Sequence, residues 1–86
     1  MNGYVYILQD ETGRFYIGST DDVNRRMRQH AQGRTRTTAR MTNPKLVLVQ
    51  EYVSLDTARK IEARVKKLKR KDYIAKIVAE GEIRMR

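Results

Sequence analysis

The chain has 86 residues, no cysteine and a single histidine, His30. That composition excludes disulfides, thiolate metal sites and thiol nucleophiles, and in practice a zinc site built on imidazoles. A formal net charge of +9 points to a polyanionic partner, while the length predicts one domain over residues 1–86 with a modest core.

No apolar run approaches a membrane span and no basic-then-apolar leader opens the chain, so a cytoplasmic protein with no membrane partner is expected. From the N-terminus, Tyr4, Tyr6 and Leu8 alternate with Val5 and Ile7, which predicts a strand over 3–9. Asp10-Glu11-Thr12-Gly13 is a turn signal, and residues 14–18 read as the second strand of a hairpin. If Tyr6 stands across from Tyr16, two phenols share one face. Val5, Ile7, Phe15 and Ile17 then form an apolar patch on the other. Paired tyrosines suit a half-buried pleated surface for purely structural reasons, so the hairpin alone does not establish chemistry.

A helix is predicted over 21–31, with Thr20 or Asp21 able to cap and Val23 and Met27 marking its apolar stripe. Arg26 and His30 are one turn apart beside that stripe, toward the body of the protein, whereas Arg25 and Arg28 point elsewhere and are candidate nucleic-acid contacts. A charge placed at the edge of a buried stripe needs a partner or a use. Beyond the helix start, residues 24–50 hold seven basic residues and no acid. The connection carrying Arg34, Arg36 and Arg40 offers guanidinium forks and hydroxyl donors suited to phosphate contact.

Residues 46–52, rich in Val and Leu, read as a third strand, expected at the centre of the sheet. Ser54 is the expected cap of a second helix whose stripe is Ala58, Ile61, Val65 and Leu68. A third helix over about 70–79 should turn Tyr73, Ile74, Ile77 and Val78 inward and end at Gly81, leaving residues 82–86 as a tail free to fray. Nine basic residues against Glu62 and Asp72 lie between residues 59 and 76. Lys66 and Lys69 belong to this second basic segment. Such runs are often solvated helix faces, but their asymmetry here favours nucleic acid. The whole predicts an α+β fold, a small three-stranded antiparallel sheet flanked by helices.

Taken in order, Tyr4-Val5-Tyr6, Tyr16-Ile17-Gly18-Ser19, Arg26, His30 and Glu62 resemble the GIY-YIG nuclease superfamily, in its small standalone bacterial branch. The resemblance covers residues 3 to about 76, including Asn43-Pro44-Lys45-Leu46-Val47 leading into the third strand. Tyr4 stands where the first triplet has glycine, and no asparagine follows Asn43, so the late asparagine of some members is missing. The resemblance implies a GIY-YIG-like fold and hydrolysis of DNA phosphodiester bonds with Mg2+ or Mn2+. Tyr6 would be the general base, its pKa lowered by Arg26 and the nearby metal. Tyr16 would orient the water or Tyr6, Arg26 would bind the scissile phosphate, and His30 would hydrogen-bond within the cluster or to phosphate. Glu62 would hold the metal, since magnesium accepts one carboxylate with waters and a phosphate oxygen. By spacing alone the plainer role of Glu62 is a helical ion pair, with Lys66 four residues on and Arg59 three back. Ser19 is a weaker candidate for a substrate contact. DNA is the expected partner and RNA stays open, as do a monomer, a homodimer or a partner protein for targeting. The alternative to an endonuclease is a basic nucleic-acid-binding module of the same fold without appreciable cleavage.

Overall fold

The computed structural model describes residues 2–32 and 40–84. Its elements are β1 (Gly3–Gln9), β2 (Phe15–Thr20), α1 (Val23–Ala31), β3 (Lys45–Tyr52), α2 (Leu55–Lys67) and α3 (Lys71–Glu80). The three strands form an antiparallel sheet in the order β2-β1-β3, so the fold is α+β as expected. The strand at the centre is β1, not β3. The uninterrupted apolar run Val5-Tyr6-Ile7-Leu8 is buried on both faces, whereas Leu46 and Val49 of β3 are exposed. A strand covered on both sides reads as a continuous apolar run, and β1 is the strand buried throughout such a run.

One face of the sheet carries the core. Val5, Ile7, Ile17 and Leu48 pack against Ala58, Ile61 and Val65 of α2, Ile74 of α3, and Ile83. Each of the buried Val, Leu and Ile side chains contributes roughly 1.5–3 kcal/mol relative to exposure. The other face, carrying Tyr6 and Tyr16, meets α1 through His30. A register shift between Ile7 and Leu8 pairs Ile7 with Leu48 but Leu8 with Leu46, so Val47 is the extra residue of a bulge in β3.

Local signals place the helix ends, with one adjustment. Asp22, rather than Thr20 or Asp21, caps α1 by accepting from the Arg25 amide, while the Thr20 hydroxyl accepts from the Asp22 amide. Ser54 caps α2 by accepting from the Thr57 amide. Gly81, at φ 78°, ends α3 in the left-handed conformation that glycine adopts without steric penalty. Ile74 turns inward as expected, but Tyr73 is 45% exposed, its ring under the Arg70 guanidinium. Ile83 also departs from a frayed tail. It is buried, and the Gln50 side-chain amide accepts from its N–H at 2.6 Å and donates to its C=O at 2.9 Å. Residues 85–86 lie outside the described residues.

The hairpin turn is organised by Asp10. Its Oδ1 accepts from the Thr12 hydroxyl at 2.7 Å and from the Thr12 and Arg14 amides, and its Oδ2 accepts from the Thr42 amide at 3.1 Å. The Thr12 hydroxyl first, and these amides with it, hold its carboxyl down at about 2, against an ordinary 3.8. Because the folded value is the lower one, Asp10 stabilises the fold above pH 3.8, and that stability is lost as pH falls through about 2. Asp10→Asn turns one acceptor into a donor within this ring of N–H and O–H groups. Urea unfolding between these pH values should show a shallower pH slope in the variant; an unchanged slope would contradict this role.

Candidate active site

Tyr6 lies at the middle of the sheet with no exposed surface. The register sets Tyr6 opposite Gly18 and Leu8 opposite Tyr16, so the two tyrosines are diagonal neighbours and not directly paired. Gly18 is the reason the Tyr6 ring can lie flat there. A Cβ at position 18 would come within 2.4 Å of Tyr6 Oη and 2.5 Å of Cζ, closer than carbon atoms allow. A glycine inside an otherwise β-branched and aromatic strand was the available signal for this close approach.

The tyrosines and His30 form a compact ring cluster. Tyr6 and Tyr16 centroids are 6.2 Å apart, and His30 lies edge-on to both at 5.6 and 5.5 Å. Arg26, one turn before His30 on α1, donates from Nε to Tyr6 Oη at 3.2 Å and from Nη1 to Gln29 Oε1 at 3.0 Å. Tyr6 Oη is 2.9 Å from His30 Nε2. A guanidinium can only donate, so Tyr6 accepts from Arg26; between Tyr6 Oη and His30 Nε2 the tautomer of the imidazole decides which group donates.

Burial first, and then Arg26, lower the His30 pKa below 6.5, which keeps the imidazole neutral at pH 7. Burial pushes the Tyr6 pKa up to about 12, outweighing Arg26, which lowers it as expected; Tyr16 adds to the rise. The hydrogen bond to Tyr6 in turn raises Arg26. Tyr6 is therefore a neutral phenol hydrogen-bonded to a neutral imidazole, with the Arg26 guanidinium donating to its oxygen.

Glu62 occupies a different side of β2. Ser19 pairs with Val5 and so shares the core face, and its hydroxyl donates to Glu62 Oε1. Glu62 Oε2 lies 2.5 Å from Lys66 Nζ. That ammonium is also 5.9 Å from the centre of the Tyr16 ring, at the outer range of a cation–π contact. Lys66 thus links the carboxylate to the tyrosine cluster around the open edge of β2. The helical pairing legible in the sequence is present, and Ser19 is a further partner that spacing did not reveal. Among the described residues no three His, Cys, Asp or Glu side chains gather into a metal cluster. A metal here would be held by a single carboxylate, which suits magnesium or manganese with a water-rich shell.

Beside Tyr16, a groove of about 420 Å³ runs between β2 and the α2–α3 junction, floored by Phe15, Ile17 and Val65. Arg14, Lys66, Lys69, Arg70 and Lys71 also line it. Arg70 is paired with Asp72 at 2.9 Å and Lys66 with Glu62, but Arg14, Lys69 and Lys71 have no ion pair among the described residues. Lys69 has φ 50°, a left-handed conformation costing a non-glycine residue about 1–2 kcal/mol. Of the other expected phosphate contacts, Arg28 and Arg40 are exposed, and Arg25 is tied to Asp21 at 2.5 Å. Arg34 and Arg36 lie outside the described residues.

With this geometry in place, the family model of the GIY-YIG catalytic domain matches residues 2–76. The chain belongs to the GIY-YIG family. It is 40% identical over 72 residues to the UPF0213 protein BH0048 of Halalkalibacterium halodurans, covering 83% of this chain and 77% of that one. It is 37% identical over 68 residues to a UPF0213 protein of Streptococcus pneumoniae, covering 78% and 69%. The solution NMR structure of the UPF0213 protein BH0048 from Bacillus halodurans superposes with a TM-score of 0.59 at 35% identity, over 94% of this chain and 87% of that one. GIY-YIG domains are nuclease domains that act on DNA and generally use divalent metals. Among the described residues no helix is long and apolar enough to cross a membrane.

Proposed function

We propose that this GIY-YIG protein is a metal-dependent endonuclease that hydrolyses DNA phosphodiester bonds, with Tyr6, Tyr16, Arg26, His30 and Glu62 as its working residues. The observation that carries the reading is the buried Tyr6 hydroxyl, held between the donor Arg26 Nε and His30 Nε2. A phenol with its pKa near 12 does not work by resting as phenolate. It can take a proton from an attacking water only while giving its own proton to a neighbour. Neutral His30, in the tautomer that leaves Nε2 unprotonated, is that neighbour, 2.9 Å away. Once substrate binding admits a water to its hydroxyl, Tyr6 relays a proton from that water to His30 Nε2, and the imidazole becomes imidazolium as the water oxygen attacks phosphorus. Arg26 stabilises the charge that develops on the phosphoryl oxygens. Tyr16, against both rings, orients the water and Tyr6.

Glu62, through its carboxylate, is the residue to hold Mg2+ or Mn2+. When bound, that ion neutralises phosphoryl charge and assists departure of the 3′ oxygen. Arg14, Lys69 and Lys71, along the groove beside Tyr16, suit the phosphates flanking the cut.

Purified protein should cut members of a panel of duplex, flap, branched, nicked and single-stranded DNAs with Mg2+ or Mn2+ and none with EDTA. Glu62→Gln should lose the cleavage and keep or slightly raise DNA affinity, because it removes a negative charge beside phosphate. DNA bound but never cut by the wild-type protein would favour the binding module. Cleavage by Glu62→Gln equal to wild type would remove Glu62 from the metal site.

A further inference from the structure

Glu62, the carboxylate proposed to hold the metal, has different partners on its two oxygens. Oε1 accepts from Ser19, a residue fixed in β2, whereas Oε2 is held by Lys66, one turn along the same helix. The Lys66 side chain is 49% exposed, against 19% for Glu62. Lys66 also faces both halves of the site, with its ammonium on Glu62 and over the edge of Tyr16.

We infer that Lys66 is a displaceable counter-ion of Glu62 that hands its charge from the carboxylate to a DNA phosphate when the divalent cation binds, a role that rests on Glu62 being the metal carboxylate. Three physical effects favour this exchange. A half-exposed ion pair is worth little, about 0–1 kcal/mol, so breaking it is easy. A divalent cation and an ammonium on one carboxylate oxygen repel each other, so occupancy by one disfavours the other. Lysine, a point charge on a flexible stem, can leave one oxygen and swing, whereas the guanidinium fork of arginine would clasp both oxygens. Arg70 is the other paired cation of the groove, but its partner Asp72 is an exposed acid with no contact to the tyrosine cluster among those described. Lys66 is thus the groove cation whose charge is withheld until the metal arrives. Metal binding and DNA binding then strengthen each other reciprocally.

The test uses the full chain without DNA. Mn2+ is titrated while paramagnetic broadening of the amide signals of Ser19 and Glu62 is followed in wild type, Lys66→Met, Lys66→Arg and Glu62→Gln. Lys66→Met should bind Mn2+ about fivefold more tightly than wild type, and Lys66→Arg no more tightly than wild type. A second readout is the salt dependence of DNA affinity with and without Ca2+. In wild type the slope of log affinity against log salt should steepen by about 0.9, one phosphate contact, when Ca2+ is present. Lys66→Met should show no such gain. Equal Mn2+ affinity in wild type and Lys66→Met, with broadening lost only in Glu62→Gln, overturns the counter-ion role and leaves the metal assignment standing. Broadening that persists in Glu62→Gln, or is absent from every variant, overturns the metal assignment and this inference with it.

Discussion

Tyr6→Phe will fold and bind DNA but cut it roughly 10²–10⁴ times more slowly, the usual loss when a positioned proton-transfer group is removed. The ring stays in place against Tyr16 and His30, so the cluster keeps its shape. What disappears is the oxygen on which Arg26 Nε and His30 Nε2 converge. Arg26 Nε and the buried His30 Nε2 each lose that hydrogen bond, which should lower stability by about 1–3 kcal/mol, read by urea unfolding. The same relay sets the acid limb of the cleavage rate. The His30 pKa in the folded protein lies below 6.5, so the imidazole is ready to accept a proton at neutral pH. As pH falls through that lowered value it becomes protonated, and the rate should drop with a midpoint under 6.5. Stability moves in the same direction: a histidine with a depressed folded pKa favours the fold above 6.5 and loses that contribution as pH falls below it. If Tyr6→Phe cut within a few-fold of wild type, the relay would be wrong.

Gly18→Ala should be as inactive as Tyr6→Phe, although Gly18 has no side chain to offer a substrate. A Cβ there would sit 2.4 Å from Tyr6 Oη, 2.5 Å from Cζ and 3.0 Å from Cε1. The tyrosine has no exposed surface, so relieving the clash must shift its hydroxyl relative to Arg26 and His30. Overpacking of this kind costs about 1–3 kcal/mol. In a Tyr6→Leu background all three contacted atoms are gone, and Gly18→Ala should cost measurably less. A double-mutant cycle by urea unfolding reads that coupling directly. Strictly additive destabilisation would mean that position 18 acts on the fold by another route.

Much of this protein is determined by short stretches of its sequence. Ser54 and Gly81 mark helix ends because a side-chain acceptor and a permissive backbone are local properties. The alternation around Tyr6 and the stripe of Ala58, Ile61 and Val65 assign side chains to faces for the same reason: the strand and helix periods are fixed by backbone geometry. The one-turn spacing that sends Arg26 and His30 to the same neighbour is likewise a property of α1 alone. Strand order and register belong to the tertiary structure. Alternation says which residues share a face but not which strand lies alongside, so β3 could be read as central although β1 is. Sliding the hairpin by two residues preserves every face, so Tyr6 opposite Tyr16 and Tyr6 opposite Gly18 are equally consistent with the pattern. The packing of the folded chain decides between them, because Gly18 leaves room for the buried ring. The same packing sets the balance on Tyr6: the positive neighbour that lowers its pKa is visible in sequence, but the desolvation that outweighs Arg26 exists only once β1 is covered on both faces.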